Sequence, residues 1–408
     1  MASLSTTSFG KNWIKNFEPS DQAVATILVD RLMLVGASEL ISGITKLLNE
    51  IMSLNTKSQS VVAFYAEREV DKENREVLPF FPRFGTGRAV GDGVQPVFVD
   101  LQKQDVGSEG IVAALISKFC KTHATSALSH PGPDKLRARQ TRKIVIVTDF
   151  VGSGRRVHEM LDAFAMVATI QSWISYGLLD FQIVCFSATE HGQNILARHP
   201  LRPTISTHIA CPVIEEAFEG AELGAIKLLC KKYPKKRSRY PFGFNNTGSL
   251  IAFSHGIPNN APQILHSSAA GWTPLFKGRS TLGSNLDAVA DSSDLLVQNS
   301  QRVLGIRDAK RLLTNTEGEL WAHTMLLLDA IKTGGRTPSK LSARTQIPIS
   351  RVEKILDLAS KAGWLTPKNS LTRLGQRELR WFVSFDFTDE KLAYPENELY
   401  FPKQLRAP

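Results

Sequence analysis

The sequence predicts an α/β fold with a largely parallel β-sheet flanked by helices, followed by a small C-terminal helical domain. Short β-branched and apolar runs at residues 60–66, 144–147 and 182–188 alternate with stretches of helical periodicity, which is the pattern of a parallel sheet. The second run leads into a Gly-Ser-Gly turn, as a strand does before the N-terminus of a helix. From residue 317 onward the apolar spacing becomes regularly helical.

Spacing and composition predict the other elements in chain order. Apolar residues between positions 21 and 54 predict two amphipathic helices that are broken near Gly36. Residues 67–93 are polar and rich in Pro and Gly, which favours loops. The remaining predictions are a strand at 96–100, a helix at 111–122, a loop at 126–142, a helix at 157–174 and a strand at 204–209.

The length and composition are those of a soluble globular protein. The 408 residues are enough for two or three domains, and 42% are hydrophobic while 22% are charged. No apolar run approaches the length of about 18 residues that indicates a membrane span. The N-terminus lacks a basic stretch followed by an apolar core, so we expect no secretory signal. The four cysteines never occur as C-x-x-C, which argues against a disulfide framework or zinc site and favours the cytoplasm.

The net charge of +10 suggests an anionic partner, because long-range attraction and counterion release favour binding of a basic protein to nucleic acid. A moderately basic surface without such a partner is the competing interpretation. Part of the charge is concentrated in one run, which contains Lys231, Lys232, Lys235, Lys236, Arg237 and Arg239. This run is a candidate nucleic-acid contact.

The run at 144–156 carries the strongest chemical signal. An apolar β-branched strand is followed by Thr148 and Asp149, and shortly afterwards by a turn. Small residues let the backbone approach an anion, free N–H groups donate to it, and the helix dipole favours negative charge. We therefore expect a phosphate site at the carboxyl end of a strand, with Asp149 accepting from sugar hydroxyls. The turn consists of Gly152, Ser153, Gly154, Arg155 and Arg156.

This run resembles the PRPP-binding motif of type I phosphoribosyltransferases, in which an apolar strand precedes two acidic residues and a Ser/Thr/Gly-rich phosphate turn. The resemblance implies that Asp149 holds the ribose hydroxyls, while the backbone of residues 152–156 and the Ser153 hydroxyl hold the 5′-phosphate. Thr148 occupies the first acidic position, and Arg156 stands where Thr is usual. The loss of one carboxylate calls efficient transfer into question, although not phosphate binding.

Other interpretations of the run fit less well. A P-loop requires a longer spacing and a lysine, both of which are missing. A DNA methyltransferase loop of the form Asp-Pro-Phe-x-Gly-Ser-Gly lacks its proline here, and no Asp-Pro-Pro-Tyr partner follows downstream. The remaining alternative is a turn between strand and helix that binds no ligand.

Further segments narrow the resemblance to one family. Over about residues 12–280 the chain is similar to a divergent phosphoribosyltransferase-like family of bacterial conflict systems, which includes effectors encoded beside retron reverse transcriptases. The resemblance implies an anti-phage defence effector, with a reverse transcriptase and the RNA or DNA of a retron-type complex as partners. The similar segments are the N-terminal helical pair introduced by Trp13 and Phe17, and residues 107–109, 240–244, 255–260 and 272–276.

A transferase of this fold also needs a pyrophosphate loop after an early strand. Arg68 follows the strand at 60–66 and is the first candidate to neutralise a leaving pyrophosphate, with Mg²⁺ as cofactor and no metal held directly by protein ligands. Arg83 and Arg88 compete for this role. Asn259 and Asn260 either contact a base or sugar through their amides or simply form a turn after a proline.

Residues 318–382 resemble a winged helix-turn-helix domain. If this domain binds DNA, its third helix should lie in the major groove with Ser350, Arg351, Lys354 and Lys361 near phosphates or bases. Winged helices also serve as protein-docking or dimerisation modules, so protein docking is the other interpretation and an oligomer is possible. Helices are predicted at 321–332, 338–345 and 349–362, followed by wing strands at 363–366 and 371–375 and a final helix.

Two functions remain open at this point. The first is a phosphoribosyltransferase-like enzyme that acts on a ribosyl phosphate or nucleotide and is restrained by a nucleic-acid-containing complex. The second is a transcription regulator in which an inactive transferase fold senses PRPP or a nucleotide. The expected domains are an N-terminal helical segment at 1–58, a phosphoribosyltransferase-like domain at 59–280, a linker at 281–316, the winged helix at 317–382 and a tail at 383–408.

Overall fold

The computed structural model describes residues 4–55, 60–81, 83–84, 88–96, 108–233, 239–279, 300–301, 304–305 and 316–384. The predicted strand at 96–100, the linker at 281–316 and the tail at 383–408 lie almost entirely outside these residues. Among the helices of the described ranges, none combines the length and the hydropathy that crossing a bilayer requires.

The elements are numbered in chain order over the described residues. The strands are β1 (Met33–Val35), β2 (Val62–Ala66), β3 (Lys72–Glu73), β4 (Glu76–Val77), β5 (Arg83–Phe84), β6 (Arg88–Ala89), β7 (Ala127–Ser129), β8 (Lys143–Val151), β9 (Asp180–Ala188), β10 (Thr204–Ala210) and β11 (Ile251–Phe253). The helices are α1 (Ser8–Ile14), α2 (Gln22–Asp30), α3 (Ala37–Asn55), α4 (Ser108–Thr122), α5 (Pro133–Ala138), α6 (Arg155–Ala165), α7 (Ala168–Ser175), α8 (Glu190–Ala197), α9 (Ile214–Ala217), α10 (Gly220–Lys232), α11 (Thr316–Lys332), α12 (Pro338–Thr345), α13 (Ile349–Lys361) and α14 (Arg373–Ser384). Short 3₁₀ helices lie at Leu4–Thr6, Phe244–Asn246, Gln263–Leu265 and Lys277–Arg279.

A five-stranded parallel sheet forms the centre of the described structure, with the strand order β10-β9-β8-β2-β7. Strands β8 and β9 are buried along almost their whole length, which explains their nearly continuous apolar sequences. The register places Val147 of β8 beside Ala66 of β2 and Val184 of β9. The predicted α/β fold, with a parallel sheet flanked by helices, is confirmed.

Alternating side chains of the sheet contribute to two separate cores. Val145 and Val147 pack on the face that is covered by α3 and α4. Ile144 and Ile146 pack on the opposite face, against α6 and α7 around the buried Phe164. Because helices cover both faces, the carboxyl edge of the sheet is where loops from several strands can meet around a ligand.

The N-terminal segment contains a strand that the sequence does not predict. Between α2 and α3, β1 pairs in parallel with β11, and Leu34 lies beside Ala252. A strand of three residues is too short to show a period, and its partner lies far along the chain. In a third core, α1 and α2 pack with α10 and the segment after β11, and the buried Trp13 Nε1 donates to the Ile264 carbonyl at 2.9 Å.

Two other sequence predictions were wrong in detail. The predicted loop at 126–142 contains the strand β7 and the helix α5. Because β7 has three residues and α5 has six, neither offers a repeat that periodicity could detect. The single helix predicted at 157–174 is divided into α6 and α7 at Val167, which is buried and adopts an extended conformation.

The C-terminal domain has the predicted order of helices. Helices α11, α12 and α13 precede a wing, in which Leu365 and Leu371 form an isolated bridge, and α14 follows. Buried residues of all four helices, including Leu341 and Ile355, share one core. Gln346 adopts a left-handed conformation with φ of 59°, which ends α12 and turns the chain toward α13.

The winged helix covers the edge of the central sheet at β10. The amide of Ala210 on β10 donates to Ser342 Oγ of α12 at 3.1 Å, and Ser342 donates to the Ile347 carbonyl at 2.7 Å. Arg344 of α12 forms a 2.5 Å ion pair with Glu219. An uncovered edge strand is a template for pairing with another chain, so this docking protects the sheet.

Ser342→Ala is expected to destabilise the protein by about 1–3 kcal/mol, because the buried Ala210 amide and Ile347 carbonyl lose their partner. Chemical denaturation followed by circular dichroism measures the change. Ser360→Ala, on the exposed side of α13, is the control and should alter the stability by less than about 0.5 kcal/mol. Equal denaturation midpoints for Ser342→Ala and the wild type would show that this contact contributes nothing.

Candidate functional site

The glycine-rich turn lies at the carboxyl end of the central sheet. Strand β8 ends at Val151, α6 begins at Arg155, and Gly154 between them adopts a left-handed conformation with φ of 75°. Among the described residues, no acceptor receives a hydrogen bond from the amides of residues 152–156. Free amides at a helix N-terminus favour an anion, so this turn can accept a group such as phosphate.

Close packing holds the turn in place. Gly152 has no room for a side chain, because a Cβ atom would lie 2.2 Å from Asn260 Oδ1. The Gly152 carbonyl accepts a 2.6 Å hydrogen bond from Thr189 Oγ1, and Gly192 of α8 packs against the same carbonyl. The contact with Asn260 therefore requires a glycine at position 152, and the contact with the Gly152 carbonyl requires a glycine at position 192, whatever ligand the turn binds.

The two candidate asparagines differ in their surroundings. Asn260 is buried, and its Nδ2 donates to the Phe244 carbonyl at 3.2 Å and to Thr247 Oγ1 at 3.0 Å. The Asn260 amide group therefore fastens the 244–247 segment to the turn, and its N–H groups are engaged rather than free for a base or sugar. Asn259 is exposed and stays a candidate for substrate contact.

Four side chains form a hydrogen-bonded array beside the turn. Thr148 Oγ1 lies 3.2 Å from both Glu67 Oε2 and Asp149 Oδ1, and Asp149 Oδ2 lies 2.8 Å from His255 Nε2. The His255 ring stacks on Phe253, and its Nδ1 is buried without a hydrogen-bond partner within the described ranges. The array joins the ends of β2, β8 and β11, and it orients both oxygens of Asp149.

The two buried carboxyl groups of this array differ in their acidity. Burial raises the pKa of Asp149, but hydrogen bonds from His255 and Thr148 outweigh this effect and hold the pKa below its ordinary value. Burial raises the pKa of Glu67 to about 7, although the charge of Arg156 opposes the rise. Asp149 is therefore ionised at neutral pH, whereas Glu67 gains and loses its proton there.

The two arginines at the start of α6 are engaged by carboxylates. Arg156 Nε lies 2.7 Å from Glu67 Oε1, and the other end of its guanidinium group contacts Glu109 of α4. Arg155 Nε lies 2.9 Å from Glu159 Oε1. Both guanidinium groups are in ion pairs. The backbone amides of these two residues are therefore better placed than their side chains to contact a phosphate.

Arg68 lies just beyond the end of β2. Its guanidinium group lies over the Phe80 ring at 4.9 Å, and Nη1 donates to the Gln95 carbonyl at 3.3 Å. Arg68 Nε is buried and has no hydrogen-bond partner among the residues that the structure describes. This unused donor keeps Arg68 a candidate for pyrophosphate. Of its competitors, Arg88 is exposed, and the side chain of Arg83 lies outside the described residues.

A second group of side chains has the composition of a metal site, but its hydrogen bonds argue against one. His158, Asp162 and His199 have ligand atoms within 4.8 Å of one another. His199 Nδ1 accepts from the Leu201 amide at 3.1 Å, so the proton is on Nε2, which donates to Asp162 Oδ1 at 3.1 Å. A metal ion at Nε2 would require the proton to move to Nδ1, which faces another donor.

The basic run at 231–239 is only partly described. Lys232 forms 2.8 Å ion pairs with Glu18 and Asp21, which tie α10 to the N-terminal segment. Lys231 is exposed and stays a candidate nucleic-acid contact. Three members of the run lie outside the described residues, namely Lys235, Lys236 and Arg237.

The predicted recognition helix α13 begins against the α/β domain. Ser350 Oγ accepts a 2.8 Å hydrogen bond from Lys46 Nζ of α3, and Arg351 lies 3.3 Å from Glu319 of α11. Lys354 is exposed. A helix that inserts its N-terminal residues into a major groove must leave such contacts, so this arrangement favours the protein-docking interpretation of the winged helix.

Three side chains of the site were not predicted from the sequence, namely Glu67, Glu109 and His255. Glu109 and His255 lie in segments that carry the family resemblance, and Glu67 directly precedes Arg68. An acidic residue at the end of a buried strand was the one available signal, because parallel strands bring their carboxyl ends together. The partners of these side chains become visible only in the folded chain.

The parallel sheet, the turn at its carboxyl edge and the appended helices define a phosphoribosyltransferase-like α/β domain with a winged helix. A family model described as PRTase-CE matches residues 11–277, more than half of the chain, and the chain belongs to this family. A second family model, described as wHTH-PRTase associated, matches residues 325–407. A search of curated proteins and a search of solved structures gave no match. The predicted combination of a phosphoribosyltransferase-like domain with a winged helix is confirmed.

Gly152→Ala should destabilise the protein by about 1–3 kcal/mol, because the new methyl group would overlap Asn260. Asn260→Ala removes the obstacle, so the double variant should lose less stability than the sum of the two single variants. Denaturation midpoints of the wild type and the three variants measure this coupling. Gly224→Ala in α10, where a Cβ atom meets open space, is the control and should be neutral or slightly stabilising. If the stability losses of the two single variants simply add in the double variant, the packing of Asn260 against Gly152 does not hold the turn in place.

The raised pKa of Glu67 predicts a pH-dependent contribution to stability. Because the folded pKa is about 7 and the unfolded value is lower, the contribution is full below the unfolded pKa and is lost as the pH rises toward 7. The free energy of unfolding of the wild type, relative to Glu67→Gln, should therefore fall by roughly 2 kcal/mol between about pH 5 and pH 8. Urea denaturation of both proteins across this range measures the difference. A difference that is constant or rises with pH would contradict the assignment.

Proposed function

We propose that this protein is an effector of a bacterial anti-phage defence system of the retron type. Its phosphoribosyltransferase-like domain would act on a ribosyl phosphate or nucleotide, in the cytoplasm. A complex of reverse transcriptase with RNA or DNA would restrain this activity until infection. The observation that carries the enzymatic part is the turn at 152–156, whose amides have no acceptor among the described residues and lie at the start of α6.

In ribosyl transfer or hydrolysis, different parts of the site would bind the phosphate, the ribose and the leaving group. The turn would bind the 5′-phosphate and supply binding energy away from the reacting carbon. Asp149, ionised at neutral pH, would accept from a ribose hydroxyl and favour the positive charge that develops at C1′ as the leaving group departs. Arg68 would neutralise a leaving pyrophosphate.

The Mg²⁺ of this proposal would bind mainly through pyrophosphate oxygens and water. Both Asp149 oxygens already lie within hydrogen-bond distance of Thr148 or His255, so the carboxylate is poorly placed to act as a direct ligand. The ion would share with Arg68 the charge of the leaving group.

The order of the segments that resemble retron-associated effectors supports the defence role. Membership of the PRTase-CE family supports the phosphoribosyltransferase-like domain on which that role depends. The winged helix would then connect the enzyme to its restraining complex. Contact with nucleic acid would involve Lys231 and the rest of the basic run, while α12 and α13 stay docked on the α/β domain.

A transcription regulator that senses PRPP or a nucleotide is the competing proposal. Thr148 in place of a carboxylate favours it, since a weakened transfer site can still bind a ligand. The contact at the start of α13 opposes the regulator. Ser350 accepts from Lys46 at the N-terminus of the helix that would enter the major groove. We therefore give preference to the effector.

Expression of the wild type in bacteria without its neighbouring genes is expected to stop growth, and Asp149→Ala and Ser153→Ala should restore it. Both variants alter the site that would hold the ribosyl phosphate. Growth curves give the first measurement. Titration calorimetry with PRPP gives the second, in which Asp149→Ala should weaken binding by about tenfold. Ser360→Ala on α13 is the control and should remain as toxic as the wild type.

The outcomes separate the two proposals. A wild type that is harmless alone, and indistinguishable from both variants, would end the effector proposal. If that harmless protein binds PRPP and retards a promoter fragment in a gel in a PRPP-dependent manner, the regulator proposal replaces the effector proposal.

A further inference from the structure

Two departures from the phosphoribosyltransferase motif meet at one side chain. Thr148 stands at the first acidic position of the motif, and Arg156 stands where Thr is usual. Thr148 Oγ1 lies 3.2 Å from Glu67 Oε2, and Arg156 Nε lies 2.7 Å from Glu67 Oε1. Each oxygen of the Glu67 carboxylate therefore contacts one of the two altered positions.

The register of the sheet explains why Glu67 can reach the altered position on β8. Ala66 of β2 pairs with Val147, and the Glu67 amide donates to the Val147 carbonyl at 2.8 Å. Glu67 and Thr148 are the next residues along the two paired strands, and side chains in register share a face of the sheet. A carboxylate carried by β2 is thus brought directly beside the place where the motif has one on β8.

The charges around Glu67 make the two departures interdependent. Arg156 of α6 is the cation that faces this carboxyl group, whereas Asp149 of β8 and Glu109 of α4 are the nearby anions. Glu67 is only 6% exposed, and a buried carboxylate requires a charged or hydrogen-bonding partner. A threonine at position 156 would leave Glu67 among carboxylates without its counter-ion. Arg156 is therefore the counter-ion that allows a carboxylate to be buried at position 67.

We infer that Glu67 is the second ribose-binding carboxylate of this protein, carried by β2 instead of β8 and charge-balanced by Arg156. This inference rests on the proposed sugar-phosphate site. Asp149 and Glu67 would each hold one of the two vicinal hydroxyls of the ribose. The protein would consequently discriminate against deoxyribosyl phosphates. Thr148 Oγ1, which lies 3.2 Å from an oxygen of each carboxylate, would donate its one proton to either of them.

Titration calorimetry with four ligands tests the inference, namely ribose 5-phosphate, its 2-deoxy and 3-deoxy analogues, and inorganic phosphate. The wild type should prefer ribose 5-phosphate over each analogue by about tenfold or more, because each analogue lacks one hydrogen bond to a carboxylate. Glu67→Gln should lose this preference at one hydroxyl and keep it at the other, and it should bind inorganic phosphate at least as tightly as the wild type, because a like charge near the phosphate is removed. Glu353→Gln, exposed on α13, is the control and should behave as the wild type.

An exchange variant makes the test independent of the single substitution. Glu67→Thr combined with Thr148→Glu returns the carboxylate to β8 and should recover the preference that Glu67→Gln loses. If Glu67→Gln fails to fold by circular dichroism, the exchange variant decides. A folded exchange variant that keeps the preference at both hydroxyls supports the inference, and one that lacks it at either hydroxyl overturns it.

The remaining outcomes distinguish this inference from the function on which it rests. Undiminished preference at both hydroxyls in Glu67→Gln would overturn the role of Glu67 and leave the sugar-phosphate site standing. A wild type that binds none of the three sugar phosphates would overturn the proposed function, and the role of Glu67 with it.

Discussion

The parallel pairing of β2 with β8 determines which side chains meet at the carboxyl edge of the sheet. With Ala66 beside Val147, the residues that end both strands emerge together, so Glu67 becomes a neighbour of Thr148 and Asp149. A shift of one residue would turn every side chain of the shifted strand to the opposite face. The apolar residues on both faces of β8 enforce the register, since such a shift would exchange the side chains of two complementary cores. The packing of the sheet thereby fixes the chemistry at its edge.

The turn could be predicted from the sequence because its determinants are contiguous. An apolar strand, small residues and a helix start all lie within 144–156, and free amides follow from that local geometry. The array could not be predicted in this way. Thr148 and Glu67 are 81 residues apart, and Asp149 and His255 are 106 residues apart, so only the fold joins them. The strands β1 and β7 could not be predicted for the same reason. Each has three residues and is recognisable as a strand only from its pairing with a distant partner.

The docking of the winged helix couples the stability of the sheet to the accessibility of α13. The Ala210 amide at the edge of the sheet donates to Ser342 of α12, and Lys46 of α3 donates to Ser350 at the start of α13. A nucleic acid that takes the start of α13 must therefore compete with the contact between Lys46 and Ser350. Binding through exposed basic residues such as Lys231 carries no such cost. Charge alone therefore does not identify a surface that would bind nucleic acid.

A turn that binds phosphate beside buried carboxylates would require electrostatic compensation. Arg156 supplies part of it by lying between Glu67 and Glu109, and the pKa of Glu67 near 7 supplies the rest, since its charge can be removed at little cost at neutral pH. A bound phosphate would raise that pKa further, because a like charge disfavours ionisation. The ion pair with Arg156 opposes this rise, so Glu67 can remain a carboxylate and accept from a ribose hydroxyl. Asp149, whose pKa is held below its ordinary value by hydrogen bonds from His255 and Thr148, would provide the negative charge that favours transfer at C1′.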